Sequence, residues 1–162
     1  MTNQQKLLGV QRFMALIPHC KALNMQAEAV TDEGVLLSLE ASSPFVGNAQ
    51  RQLIHGGVLS VLMDTACGSA AIMQLPEPEV CPTIDLRLDH YRPATQGRKI
   101  YCRAWVTRLA RQIVFTEGLI WQDEAEPLVK GTGTFMRLGG ERTPKGFARQ
   151  LFGEQGDENA RE

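Results

Sequence analysis

The residues best placed to do chemistry lie between Leu53 and Ala71, in the run LIHGGVLSVLMDTACGSAA. Nearly every position there is apolar or small, yet the run holds one carboxylate, Asp64. His55, Gly56 and Gly57 precede it and open a helical pattern. The first amides of a helix have no internal acceptors and sit at the positive end of its dipole. Glycine lets a bulky group approach that backbone closely. Such amides can hold the negative charge that grows on a carbonyl oxygen under attack. A carboxylate can activate the attacking water or attack directly. Asp64 lies beyond the first turn, so helix capping does not explain it; the bland alternative is a carboxylate bonded to a neighbouring hydroxyl or arginine. At 1.5 Å per residue, Asp64 is about 10 Å along the axis from Gly57. One helix cannot easily bring both to the same carbonyl. If both serve one reaction, Asp64 of one chain meets the glycines of another, as two antiparallel helices at a twofold interface would allow, giving two equal sites.

The other reactive side chains fit less well. His55 precedes the helix, where it can bond backbone and fix the loop bearing Gly56; positioning suits it better than base catalysis. Ser60, His55 and Asp64 form no hydrolase triad, because no GxSxG elbow is present. Cys67 follows Asp64 by three residues, but a small buried residue is the usual use of such a cysteine. The four cysteines, Cys20, Cys67, Cys81 and Cys102, form no CxxC pair and read as reduced thiols of a cytoplasmic protein. Three scattered histidines offer no metal-ligand spacing, so no metal is expected. Asp85 and His90 match the spacing of a hydratase pair, but a five-residue offset on a strand points them to opposite faces.

The elements that must position these residues follow from periodicity. Residues 4–17 carry Leu7, Val10, Phe13, Met14 and Ile17 at helical spacing, with Pro18 as the stop. Residues 24–30 and 35–40 read as a hairpin around Thr31-Asp32-Glu33-Gly34. A loop over 42–52 leads into a buried helix, 57–74, which Leu75-Pro76-Glu77-Pro78-Glu79 ends. Strands are predicted over 83–91, 99–109, 113–122 and 128–138. Gly131 and Gly133, on one face of the last strand, would let a sheet bend around something thick. One hydrophobic helix cannot cover its own circumference, whereas an antiparallel sheet with short connections can wrap it. The outer sheet face still carries Tyr101 and Trp105, which points to another subunit there or at a sheet edge. The domain limits expected are an N-terminal helix over 1–19, the wrapped-helix domain over 20–138 and a tail over 139–162. In that tail Phe147, Leu151 and Phe152 suit a short docking helix, and residues after Gly153 read as disordered.

Bulk composition excludes other classes. The chain has 162 residues, 43% hydrophobic and 22% charged, with a net charge of -1. That is one ordinary globular domain with no surface for nucleic acid. The N-terminus lacks the pattern of a signal peptide. The greasy run approaches the length of a membrane span, but a central Asp costs about 2.5–3.5 kcal/mol on insertion scales. A core helix is the better reading.

The His55-Gly56-Gly57 start, Asp64 nine positions after the histidine, the small residues Ala66, Gly68, Ala70 and Ala71, the strand TIDLRLDHYRPA and the late VKGTGTFM together resemble the PaaI-like hotdog thioesterases over roughly residues 20–138. The resemblance implies an α+β hotdog fold, a curved antiparallel sheet wrapped around a long central helix. It implies hydrolysis of acyl-CoA thioesters by a homodimer or dimer of dimers, with coenzyme A as part of the substrate and no cofactor. It gives the oxyanion role to the Gly56 amide and carries Thr83 over as the hydroxyl residue that helps hold water. Many relatives have an asparagine six residues before the histidine; here that place is Ala49, and Asn48 is one residue further away. Phe45, Val46, Leu59 and Met63 are expected to line the pocket for a medium or long acyl chain or an aromatic ring. Arg108, Arg111, Lys130 and Arg137 are the candidates for the phosphates of coenzyme A. The rivals are an enoyl-CoA hydratase or dehydratase of the same fold and a non-catalytic acyl-CoA-binding module.

Overall fold

The computed structural model describes residues 1–153. Its elements are α1 (Asn3–Ala15), α2 (Pro18–Ala22), β1 (Gln26–Thr31), β2 (Gly34–Glu40), a 3-10 turn (Ser43–Phe45), β3 (Val46–Asn48), β4 (Leu53–Ile54), α3 (Gly56–Gln74), β5 (Thr83–His90), β6 (Lys99–Leu109), β7 (Ile113–Asp123), β8 (Glu126–Met136) and α4 (Phe147–Phe152). Six strands form one antiparallel sheet in the order β1-β2-β6-β7-β8-β5. Helix α3 packs against β2, β5, β6, β7 and β8, as the wrapped-helix reading requires.

The composition of α3 explains its place. Leu59, Leu62, Met63, Ala66, Cys67, Ala70 and Ala71 recur at helical spacing and are buried. Each large side chain buried this fully contributes about 1.5–3 kcal/mol. By composition α3 could cross a bilayer, but 67% of its apolar window is buried inside this fold. The sheet comes close because glycines give it room. Gly118 of β7 pairs with Gly131 of β8, and a Cβ on either would fall 2.5–2.8 Å from the Met63 side chain. Met63 therefore sits in a notch cut by two missing side chains. Gly133 does not share this duty: its added Cβ would meet the Phe135 ring and the Thr116 hydroxyl, not α3.

Two local expectations need correction. Pro18 ends the first helical pattern but also starts α2 as its first residue, where its missing N–H is no loss. The 42–52 segment is not all loop, since Val46 pairs with Ile54 in the short β3–β4 ribbon. The docking helix is found: Phe152 lies on Gly9 of α1, and Arg12 donates to the Leu151 carbonyl at 3.1 Å. The disorder expected after Gly153 falls outside the described residues.

The two sheet edges differ. Helix α1 packs against β1. On β5 the outer backbone edge pairs with no other strand among the described residues, and Ile84 is 51% exposed. An open edge of this length invites another strand.

Candidate active site

The start of α3 is built by a loop that folds back on it. The His55 amide donates to the Phe45 carbonyl at 2.8 Å. His55 Nδ1 accepts the Gly57 N–H at 3.0 Å, and the His55 carbonyl accepts from the Val58 amide at 3.0 Å. Histidine thus serves as the helix N-cap. Gly47 makes room for it, since a Cβ there would lie 3.0 Å from His55 Cα. This divides the two glycines. Gly57, expected as a donor, spends its N–H on His55; the Gly56 N–H meets no acceptor among the described residues. Phe45 and Val46 stay beside this turn, half-buried.

Asp64 lies on a half-exposed stripe of α3 together with Gly56, Gly57, Ser60 and Val61. Spacing of three to four residues puts these positions on the side away from the sheet. The Thr83 hydroxyl donates to Asp64 Oδ1 at 2.8 Å. Two of the candidate residues are thus together, through the kind of hydroxyl bond that the bland alternative for Asp64 describes, and Oδ2 meets no donor among the described residues. An ionised carboxylate accepts such a bond strongly.

One chain does not bring Asp64 to its own Gly56. Eight residues of helix separate them, roughly 12 Å. They also mark opposite ends of β5. Asp64 is tied to Thr83 at its start, while the ring of His90, at its end, lies across Gly56, with Cε1 3.5 Å from where a Cβ on that glycine would be.

Several expected pocket residues are placed elsewhere. Leu59 and Met63 are 2% and 0% exposed, because their face of α3 is the one the sheet covers. Asn48 Oδ1 accepts the Arg51 N–H at 3.0 Å and caps its own exposed turn. Lys130 pairs with Glu117 at 3.6 Å on the sheet face away from α3. Arg108 and Arg111 flank the β6–β7 turn, at the Thr83 end of the sheet. Arg111, Arg137 and Arg142 line a hollow of about 470 Å³ there. Arg137 is held within it by Glu79, whose second oxygen takes the Gly139 N–H at 2.9 Å. Two half-buried residues went unnoticed in sequence, Val58 and Val61. Counting along the helix from Gly57 and Asp64 would have found Val61.

The thiols take no part. Burial pushes the Cys67 thiol up to about 12, with a hydrogen bond to Thr116 opposing and the Asp64 charge adding to the rise. Burial also raises Cys81 to about 11, with the Glu79 charge adding. Cys20 and Cys102 are raised by burial too. A neutral buried thiol is a poor nucleophile. Asp85 and His90 do not converge: Asp85 lines a hollow with Thr107, Phe115, Thr132 and Thr134, whereas His90 is beside Gly56. Among the described residues no three His, Cys, Asp or Glu side chains gather to hold a metal ion.

The thioesterase superfamily profile matches residues 52–128, from the loop before α3 into β8. A medium/long-chain acyl-CoA thioesterase of Escherichia coli, YigI, is 26% identical over 144 residues, covering 81% of this chain and 92% of its own. A crystal structure of a Pseudomonas aeruginosa protein is 36% identical, with a TM-score of 0.74, over 82% of this chain and 99% of that one. The Escherichia coli PaaI protein of the phenylacetic acid degradation operon, 19% identical, superposes with a TM-score of 0.76 over 86% of this chain and 98% of its own. The chain belongs to the thioesterase superfamily, as a thioesterase built on the PaaI-like hotdog fold.

Proposed function

We propose that the protein hydrolyses acyl-CoA thioesters with medium or long acyl chains, or an aromatic acyl group, to free acid and coenzyme A. The observation that carries this reading is the division of one helix into two half-sites. One is an unpartnered Gly56 amide at the positive helix end; the other is a half-exposed Asp64 carboxylate held by Thr83. YigI, named for medium/long-chain acyl-CoA, favours the aliphatic option.

The working unit is a homodimer. The open β5 edge and the half-exposed stripe of α3, with Val61 beside Asp64, are the surfaces for the second copy. Asp64 of one protomer then serves the carbonyl held by Gly56 of its mate. Water bonded to Asp64 Oδ2 gives up a proton to the carboxylate as its oxygen attacks the thioester carbon. The oxyanion forms at the Gly56 N–H. The carbon–sulfur bond breaks, and the departing thiolate recovers the proton as free coenzyme A. Arg111 and Arg142 are the cations we assign to its phosphates.

The test is thiol release from octanoyl-, palmitoyl- and phenylacetyl-CoA by the purified protein, read with a thiol-reactive dye. Release that depends on Asp64 supports the assignment. Silence on every acyl-CoA, or full activity in Asp64→Asn, overturns it.

A further inference from the structure

An oxyanion is held best by two aimed donors, and of the two glycine amides in the turn only that of Gly56 meets no acceptor among the described residues. Gly57 gives its N–H to His55. His55 spends Nδ1 on that amide and sets its Cδ2 edge against Gly47, which leaves Nε2 as its one ring donor. In the loop before it, Ala49 has no polar atom in its side chain, and Asn48 turns its Oδ1 back to the Arg51 N–H. What faces the open side of Gly56 instead is His90. Its ring Cε1, the carbon between the two ring nitrogens, is 3.5 Å from the position of a Gly56 Cβ. The side chain is exposed and makes no hydrogen bond among the described residues. It belongs to the same parity of β5 as Leu86 and Leu88, which pack on the core side.

Resting on the thioesterase reading above, we infer that His90 is the second oxyanion donor: a ring N–H shares the thioester carbonyl oxygen with the Gly56 amide. A neutral imidazole carries one such donor, which suffices. The end of β5 thereby supplies a donor beside the helix start. His90 touches the reacting oxygen in this scheme and is a catalytic residue. It forms no covalent bond and moves no proton.

His90→Ala and His90→Gln decide the matter, compared with the wild-type dimer in kcat and KM on one acyl-CoA. The alanine variant is expected to lose roughly 10²-fold in kcat, the usual effect of deleting one oxyanion donor. KM should move less than about threefold, because the bond strengthens in the transition state. Glutamine restores an N–H at similar reach and should recover about tenfold of the loss, which a merely structural role would not produce. His90 is exposed, so both variants should match the wild type in circular dichroism and elution volume. A kcat for His90→Ala within about threefold of wild type overturns the inference. So does a loss confined to KM, or a glutamine variant no better than alanine. A wild-type protein silent on every acyl-CoA overturns the thioesterase reading and this inference together, whereas an active wild type with an indifferent His90 overturns this inference alone.

Discussion

Replacing Gly56 with proline removes an amide that meets no acceptor among the described residues, and little else. Proline has no N–H, and the first helical position is where a helix tolerates it best. The preceding residue must then be extended, and His55 already is, with φ -64 and ψ 131. The added Cβ would lie 3.5 Å from His90 Cε1, an ordinary contact. The unfolded chain loses more freedom with proline than with glycine, which stabilises by about 0.4–1 kcal/mol. For a chain of this length that is a rise of about 1–4 °C in Tm. Activity should go the other way. Losing one oxyanion donor costs about 2.7–4 kcal/mol of transition-state stabilisation, a fall of roughly 10²–10³-fold in kcat. Gly56→Ala is the control, because it adds the same Cβ and keeps the N–H. Its kcat should stay within about fivefold of wild type. The assay is thiol release from palmitoyl-CoA alongside a thermal melt at fixed protomer concentration. A Gly56→Pro protein that melts normally and turns over as fast as Gly56→Ala would show that this amide holds no oxyanion.

Other expectations can be checked with the same preparations. Asp64→Asn should lower kcat by roughly 10²–10⁴-fold, the range for a lost general base; Thr83→Val should lower it about tenfold, with Thr83→Ser close to wild type, since a bond to a charged group is worth about 1.5–3 kcal/mol and this one is partly solvated. The four thiols should resist a thiol dye at pH 8 until the protein unfolds, because burial keeps them protonated. Their raised pKa values contribute stability that is whole below pH 9, their ordinary value, and fades as pH rises toward 11 and 12 for Cys81 and Cys67, so urea midpoints should fall over that window. Gly131→Ala should destabilise by about 1–3 kcal/mol by driving Met63 out of its notch, and Met63→Val should relieve most of that loss; strictly additive urea-melt energies would refute the contact. Mixing inactive Asp64→Asn protomers with inactive Gly56→Pro protomers, under conditions that exchange subunits, should restore about a quarter of wild-type sites, because half the dimers are mixed and each has one intact site; no recovery despite exchange refutes a site shared between chains.

Much of this was legible because it depends on local rules. Small residues on one face of a long apolar run announce a helix that a sheet can approach, and Asp64 stands out against them. Strand spacing gave the four long strands with ends wrong by at most two residues. The pocket residues were harder. Leu59 and Met63 are apolar and near Asp64 in sequence, but helical geometry turns them to the sheet while Val61 turns outward. Lys130 failed for the matching reason on a strand, since alternation puts it on the face away from α3. The division of labour between Gly56 and Gly57 could not be read at all. It depends on which way the His55 ring turns, and a loop contact with Gly47 decides that.

The position of Asp64 becomes intelligible once β5 is seen as a ruler. Thr83 at its start holds Asp64, and His90 at its end lies over Gly56, so the strand spaces the acid from the Gly56 turn within the chain. The same strand is the open edge of the sheet. Pairing it antiparallel with its copy, about a twofold axis near the middle of the strand, exchanges its two ends. Thr83 and Asp64 of one chain then approach His90 and Gly56 of the other, and both sites are completed by one operation. In the proposed dimer the two halves of the chemistry can therefore be far apart in a single chain without loss, because the distance that separates them is the distance the twofold axis would span. This also explains how an acid persists in a run so apolar: its side of the helix is turned from the core, its charge is met by a hydroxyl, and in the proposed dimer the rest of its surroundings are the substrate and the second subunit.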